Sequence, residues 1–422
     1  MNITRRSALQ RTAALSIGAA LSSIPNLRAA DAAGRRLRVA VIALGRGMGH
    51  VQALLTLPDV EIAYLAEVDP IRLERGLKTV AAKQDTTCEG VKDFRKFLGD
   101  KTLDAVFIAT PNFWHTSAAV LAMQAGKHVY VEKPGSQNPH EAELIVAASK
   151  KYQRLVQMGN QRRTWMKEGI AALHGGAIGT LRYARAFYYN ARGAIGQGTN
   201  KAAPEIDMDL WQGPVPDERD IKPYVHYDWH WLWHWGNGEL GNNGIHHLDI
   251  LRWGLQVEFP RRVTYNGGRY WFQDKQETPD TGTVVFDFGK VGMEWTHSSC
   301  HPRSAEKPLG ECVFYGDEGT FAMSNNSWTI HDPKGAKIGD GKGPSGDAAH
   351  IGNFLEAIRG KAPLNSPIEE GQKSTMLCHL GNIAYRTNTV VQTDPKSGKL
   401  VNNPAGEKLW KREYRKGWEV TL

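Results

Sequence analysis

Gly45, Gly47 and Gly49 lie in one short run, Leu44-Gly45-Arg46-Gly47-Met48-Gly49-His50. Such a turn lets backbone N–H groups approach a phosphate, with the positive end of the following helix behind them. The spacing departs from G-x-G-x-x-G. Ala43 stands at the first position and Met48 at the third, so the turn alone is weak evidence for a nucleotide. Glu67 and Asp69 follow, about 20 residues on, where a carboxylate meets the ribose hydroxyls of an adenosine. Glu67 is the favoured partner and Asp69 the alternate. A carboxylate there repels a 2′-phosphate, so NAD is expected over NADP, while Arg72 nearby leaves NADP open.

These residues need a scaffold, and the surrounding pattern supplies one. Residues 36–43, 61–66, 103–109 and 128–131 are short β-branched or apolar runs. They read as buried strands, and 51–57 and 117–125 as helices between them. The alternation predicts an α/β fold with a parallel sheet, whose ligands lie at the carboxyl ends of the strands. Two segments sit at such ends: Thr110-Pro111-Asn112-Phe113-Trp114-His115 and Glu132-Lys133-Pro134. A lysine facing a nicotinamide ring has its pKa lowered by burial and by the ring's charge. It can then hydrogen-bond a reacting hydroxyl and relay its proton.

The run Tyr227 to Trp235 (YDWHWLWHW) alternates tryptophan with histidine. Indole faces stack on the C–H surfaces of sugars, so Tyr227 and Trp231 are read as substrate contacts, with core or interface packing as the competing role. His226, His230 and His234 have i, i+4 spacing, but tryptophan alternation suits a strand or loop as well as a helix, and no metal is expected. Arg163 and Trp165 follow a strand-like stretch at a domain junction. They are read as substrate contacts, or the arginine pairs with an acid of the other domain.

From about residue 36 to 390 the chain resembles the glucose–fructose oxidoreductase / inositol dehydrogenase (Gfo/Idh/MocA) family. The glycine turn, ATPNFWH, VEKP and GNNGIHHLD at 241–249 carry the resemblance, with GNQRR at 159–163 and NFLEAIRG at 353–360 in support. It implies a Rossmann domain with a parallel sheet, then a C-terminal α/β domain with an open-faced, mainly antiparallel sheet. Residues 181–189, 262–272, 281–288, 291–296, 311–315 and 320–323 do read as strands, and 350–359 and 368–385 as helices. The resemblance makes Lys133 and His246 the catalytic pair, with His246 as general acid or base. The family often has an aspartate at the position of Asn242. Asparagine cannot exchange a proton at neutral pH, but it can orient a substrate. His247 and Asp249 join the substrate-side set, Asp249 as an anchor for the helix or the histidine. The implied cofactor contacts are Leu44, Gly45, Arg46, Gly47, Met48, Glu67, Thr110, Pro111, Asn112, His115, Glu132 and Lys133.

The activity implied is hydride transfer to or from a sugar, glycoside or cyclitol hydroxyl, with a tightly retained NAD. One alternative is a glycosidase working through transient oxidation, elimination and reduction. Another is a carbohydrate-binding relative without catalysis. A homo-oligomer is expected from the family's exposed sheet face.

The whole chain bounds these readings. Its 422 residues exceed one compact core, so two domains are expected, at 34–158 and 159–422. The net charge of +8 is spread without a Lys/Arg block, so no nucleic-acid partner is expected. Cys88, Cys300, Cys312 and Cys378 form no C-x-x-C, which gives no support to a zinc or redox motif. Residues 1–33 read as an address. Arg5-Arg6 precedes an apolar stretch at 13–24 and small residues at 29–33, the layout of an export signal. The arginine pair resembles a twin-arginine signal, with Ala8 where phenylalanine is common. The expected location is the periplasm and the expected partner the twin-arginine export machinery, which passes folded, cofactor-loaded proteins.

Overall fold

The computed structural model describes residues 35–196, 205–216, 221 and 224–422. Residues 1–33, read above as an export signal, lie outside them. Two sheets organise the described chain, each built from the pattern its strands carry.

The first sheet has six parallel strands: β1 (Leu37–Ile42), β2 (Val60–Ala66), β3 (Glu89–Val91), β4 (Ala105–Ile108), β5 (His128–Val131) and β6 (Val156–Met158). Their order is β3-β2-β1-β4-β5-β6. Strands β1 and β4 are almost wholly apolar and buried, as a sheet covered on both faces demands. Helices α1 (Gly47–Leu54), α2 (Pro70–Ala81), α3 (Asn112–Gln124) and α4 (Pro139–Tyr152) cross between them. Helix α1 starts inside the glycine turn, four residues before the expected 51. Ala43, at the first glycine position, has φ of 66°. The turn thus keeps the left-handed backbone that glycine normally supplies, at a cost of about 1 kcal/mol for a residue with a Cβ. Gly47 is needed for a second reason. A Cβ there would stand 3.1 Å from Val41 Cγ1, so its absence lets the helix lie close on the strand.

The second sheet contains β7 (Leu181–Ala191), β8 (Arg262–Gly268), β9 (Thr281–Asp287), β10 (Gly292–Ser298), β11 (Cys300–His301), β12 (Cys312–Gly316), β13 (Gly319–Ser324), β14 (Ser327–His331), β15 (Lys337–Lys342) and β16 (Val391–Gln392). The order is β15-β14-β13-β12-β7-β10-β9-β8-β16, with β11 on β7. Only β7 and β10 pair in parallel. The first of these strands alternates as expected, but β8 stops at Gly268, and the stretch to 280 is a loop rather than strand. Val284, Phe286, Trp295 and Phe314 point inward and are fully buried beneath α5 (Ile245–Leu255) and α7 (Ile368–Thr387). Tyr183, Arg185, Phe187, Val285 and Glu294 alternate with them and are half-buried on the other face.

One helix crosses the boundary drawn at 158. Helix α6 (Asp347–Ile358) belongs to the second half by sequence. Its Ile351, Phe354, Leu355 and Ile358 pack into one core with Leu37, Val39, Val41 and Phe107 of the first sheet. The hydrophobic periodicity identified the helix, but periodicity carries no information about which sheet receives the apolar face. All four cysteines are free thiols. Among the described residues no helix is long and apolar enough to cross a membrane.

Candidate functional site

The carboxyl ends of β1, β2, β4 and β5 open into a cleft of about 420 Å³ whose far wall comes from the second half. Gly45, Arg46, Glu67, Thr110, Pro111, Asn112, His115, Glu132 and Lys133 line it, facing Tyr227 and Asn242. Residues separated by about a hundred positions are therefore brought to one space by strand ends.

Lys133 is the centre of the arrangement. Its Nζ donates to the Asn242 carbonyl at 2.6 Å and to Asn242 Oδ1 at 3.3 Å. An ammonium has three donors, so one remains for a ligand oxygen. Burial lowers its pKa, opposed by Glu132 and reinforced by Arg46. Asn242 passes the contact on, its Nδ2 donating to Tyr227 Oη at 3.3 Å. Burial raises the Tyr227 pKa, so the phenol keeps its proton.

Glu132 fixes the strand end that carries the lysine. It is buried, meets His50 Nε2 at 2.8 Å, and accepts from Arg46 Nε at 3.0 Å. Burial disfavours its charge, but His50 and Arg46 outweigh that and hold the carboxyl well below the usual range. Arg46 also grips Asp347 at the start of α6 through two bonds of 2.7 Å. The glycine turn, the lysine strand and the returning helix are thus tied by one guanidinium. His50 and Asp347 were not legible beforehand, because their role depends on where α6 docks.

His246 lies in the first turn of α5, one turn beyond Asn242, and is half-buried outside the cleft lining. Burial first, then the charges of Lys133 and Arg162, push its pKa well down. The imidazole is neutral and electrostatically coupled to Lys133, but the group that touches the lysine is Asn242.

Several residues expected on the substrate or cofactor side are placed elsewhere. Arg163 and Asp249 form a buried ion pair, with Nη2 donating to Oδ1 at 2.8 Å and Ser374 Oγ adding a bond of 2.6 Å. The arginine pairs with an acid of its own domain, not of the other one, and is not on the cleft. Trp165 donates from Nε1 to the Gly346 carbonyl at 3.1 Å. His247 receives Trp295 Nε1 at 3.2 Å and is buried. Trp231 is buried under the Arg192 guanidinium, 4.2 Å from the ring centroid. Leu44, Gly47 and Met48 are not in the cleft lining: Leu44 and Met48 pack into the first sheet's core, while their neighbours Ala43, Gly45 and Arg46 face the cleft. The reason for the aromatic mismatch is local. Residues Asp228–Trp231 form a 3-10 turn, so alternation does not map onto one face. Trp229 and His230, stacked at 3.7 Å, line the cleft instead. The three spaced histidines go to separate partners: Asp69, the Tyr227 carbonyl and the Pro216 carbonyl. Among the described residues no cluster suits a metal ion.

The cleft fits a nicotinamide dinucleotide. Thr110 Oγ1 and Asn112 Oδ1 are buried without a partner in its lining, and buried polar atoms without partners call for a ligand. Helices α1 and α3 both begin at the cleft without a side-chain cap, leaving their first N–H groups for phosphate. Glu67 accepts from the amides of Leu44, Val68 and Asp69 at 2.6, 2.8 and 3.1 Å. A carboxylate has about four acceptor sites, so one is left for a ribose hydroxyl. Asp69, the alternate, caps α2 through the Ile71 amide at 2.9 Å and is not in the cleft lining.

Glu239 was not foreseen. It is buried just ahead of Asn242 and accepts from Asn243 Nδ2 at 2.8 Å. Burial pushes its pKa from 4.5 up to about 7. Between those values the unfolded chain releases a proton that the folded chain keeps, so this contribution to stability is lost as pH rises. Glu239→Gln is expected to raise Tm at about pH 8 and to leave it near wild type at about pH 4. A Tm difference constant across that range contradicts the assignment.

A parallel 3-2-1-4-5-6 sheet with a lysine-bearing cleft at its strand ends defines a dinucleotide-binding α/β enzyme. The family model "Oxidoreductase family, NAD-binding Rossmann fold" matches residues 37–160, and the GFO/IDH/MocA C-terminal domain matches 210–322. The chain belongs to the Gfo/Idh/MocA oxidoreductase family. It is 35% identical over 290 residues to scyllo-inositol 2-dehydrogenase (NADP(+)) IolU of Bacillus subtilis, covering 66% of this chain and 73% of that protein. It is 30% identical over 178 residues to a glycosyl hydrolase family 109 protein of Shewanella pealeana, covering 36% of this chain and 38% of that one. The match therefore spans well under half of the latter. The structure of the WlbA dehydrogenase of Bordetella pertussis, in complex with NADH and UDP-GlcNAcA, superposes with a TM-score of 0.65 at 18% identity, over 85% of this chain and 99% of that one.

Proposed function

We propose that this chain transfers a hydride between a tightly held NAD and a hydroxyl-bearing carbon of a sugar, glycoside or cyclitol, after export by the twin-arginine route to the periplasm. The observation that carries the reading is the Lys133 ammonium, held by Asn242 with one donor open, in a cleft walled by Tyr227, Trp229 and His230. When bound, NAD supplies the hydride acceptor. Lys133 hydrogen-bonds the reacting oxygen and supports its alkoxide character, the role a preorganised cation plays best in a dry site. His246, one turn beyond Asn242, is the proposed acceptor of the hydroxyl proton, the role the family resemblance gives it. Aromatic faces and one amide orient a ring bearing hydroxyls. Glu67 favours NAD over NADP. The half-buried face of the second sheet is the expected contact in a homo-oligomer.

A second reading is supported by the similarity to the family 109 glycosyl hydrolase. Oxidation at one carbon acidifies its neighbour, an aglycone is eliminated, water adds, and the hydride returns. The same Lys133 serves both.

Incubating the purified protein with methyl and nitrophenyl glycosides separates them. Reduced nicotinamide accumulating in step with oxidised sugar supports the dehydrogenase. Aglycone release without net reduction supports the redox glycosidase. Neither signal across neutral, amino and acidic glycosides and inositols overturns both.

A further inference from the structure

The aromatic run that drew attention in the sequence serves two cavities. Tyr227, Trp229 and His230 wall the cleft, whereas Trp233 and His234 face a second cavity of about 570 Å³. Asn237 stands between them and lines both. Its side chain bonds Asn112 of the cleft, and its carbonyl accepts from Asn382 Nδ2 of α7 at 2.9 Å. Hydride transfer as proposed above uses nothing on the far side of Asn237.

Among the described residues, Arg386, Lys408, Lys411 and Arg412 line this second cavity against two carboxylates, Glu277 and Glu413. Arg412 is oriented from behind by Glu141 at 2.8 Å and by the Phe113 carbonyl at 2.6 Å, with Nε and Nη1 left without an acceptor. The Arg386 guanidinium lies over the Trp233 ring, 5.0 Å from its centroid. Beneath them the floor is polar and buried, formed by Asn138, His379 and Asn382.

Each part selects a portion of one ligand. A guanidinium takes a carboxylate in a fork. An indole face covers the C–H surface of a ring, and amides take hydroxyls. The volume is that of a site for an organic molecule, of order 300–1,000 Å³, and exceeds the needs of an inorganic anion. We infer that this cavity binds an acidic monosaccharide unit, a sugar ring carrying a carboxylate, at a site distinct from the hydride-transfer cleft. The inference does not depend on the proposed function.

Calorimetric titration of the purified chain at fixed ionic strength, with D-glucuronate, D-glucose and sulfate as probes, tests it. Glucuronate is expected to saturate and to bind at least about tenfold tighter than either other probe. Arg386 and Lys411 are exposed, so the double variant Arg386→Gln/Lys411→Gln is expected to fold, with a melting curve as the check. It should weaken glucuronate binding about tenfold or more, while Lys133→Met leaves it unchanged. Absence of saturation overturns the proposal, as does equal binding of glucose or sulfate. Binding that disappears with Lys133→Met and survives the double variant also overturns it, because the sugar then sits in the cleft.

Discussion

Lys133→Met is expected to lower kcat by about a hundredfold to a thousandfold while the protein stays folded and keeps its dinucleotide. Methionine matches the lysine stem in length and tolerates an irregular apolar site, so the change removes mainly the charge and the donors. Lys133 lies on the cleft wall, and among the described residues its ammonium bonds the backbone carbonyl and the side-chain oxygen of Asn242 alone. The lost interaction is made with an oxygen whose charge grows in the transition state, which is why kcat and kcat/KM should fall together. A factor of a thousand corresponds to about 4 kcal/mol of transition-state stabilisation. Steady-state kinetics with the best glycoside found, together with quantification of bound nucleotide, checks it. A variant that retains kcat and loses only nucleotide would assign the lysine to cofactor binding alone.

The second large effect concerns stability. Asp249→Ala is expected to destabilise the fold by about 3–5 kcal/mol, the cost of leaving a buried charge without its partner. Arg163 and Asp249 are 5% and 1% exposed, and the aspartate accepts from both Arg163 and Ser374. The double variant Arg163→Met/Asp249→Leu should lose less than Asp249→Ala, since no charge remains buried. Urea unfolding measures both. If Asp249→Ala raised KM and left the unfolding midpoint unchanged, the pair would belong to the substrate site and the structural assignment would be wrong.

The parallel sheet was legible because strands buried on both faces are written as continuous apolar runs, and strand ends then locate the ligand. The segments that hold Glu132, Lys133, Thr110 and Asn112 came from that logic, and the resemblance gave those residues their roles. Resemblance added Asn242 and His246, whose spacing by itself says only helix. What could not be read was which side of an element each residue faces. Trp231 and Trp229 are equivalent in an alternating pattern, and the 3-10 turn decides between them. Arg163 and Asp249 are equally at home in a cleft or a buried pair, and only the approach of α5 and α7 to the domain junction settles it. Glu239 carried no motif. Its perturbation arises from burial, which belongs to the assembled fold.

Lys133 is proposed to act on a carbohydrate hydroxyl beside a nicotinamide held in this cleft. Incubating the protein with a ring-deuterated glycoside, denaturing it and weighing the released nucleotide by mass spectrometry addresses it directly. A dinucleotide of NAD mass is expected to gain deuterium in the wild type and not in Lys133→Met. Protein that binds no dinucleotide, or label that enters equally in both proteins, would contradict it.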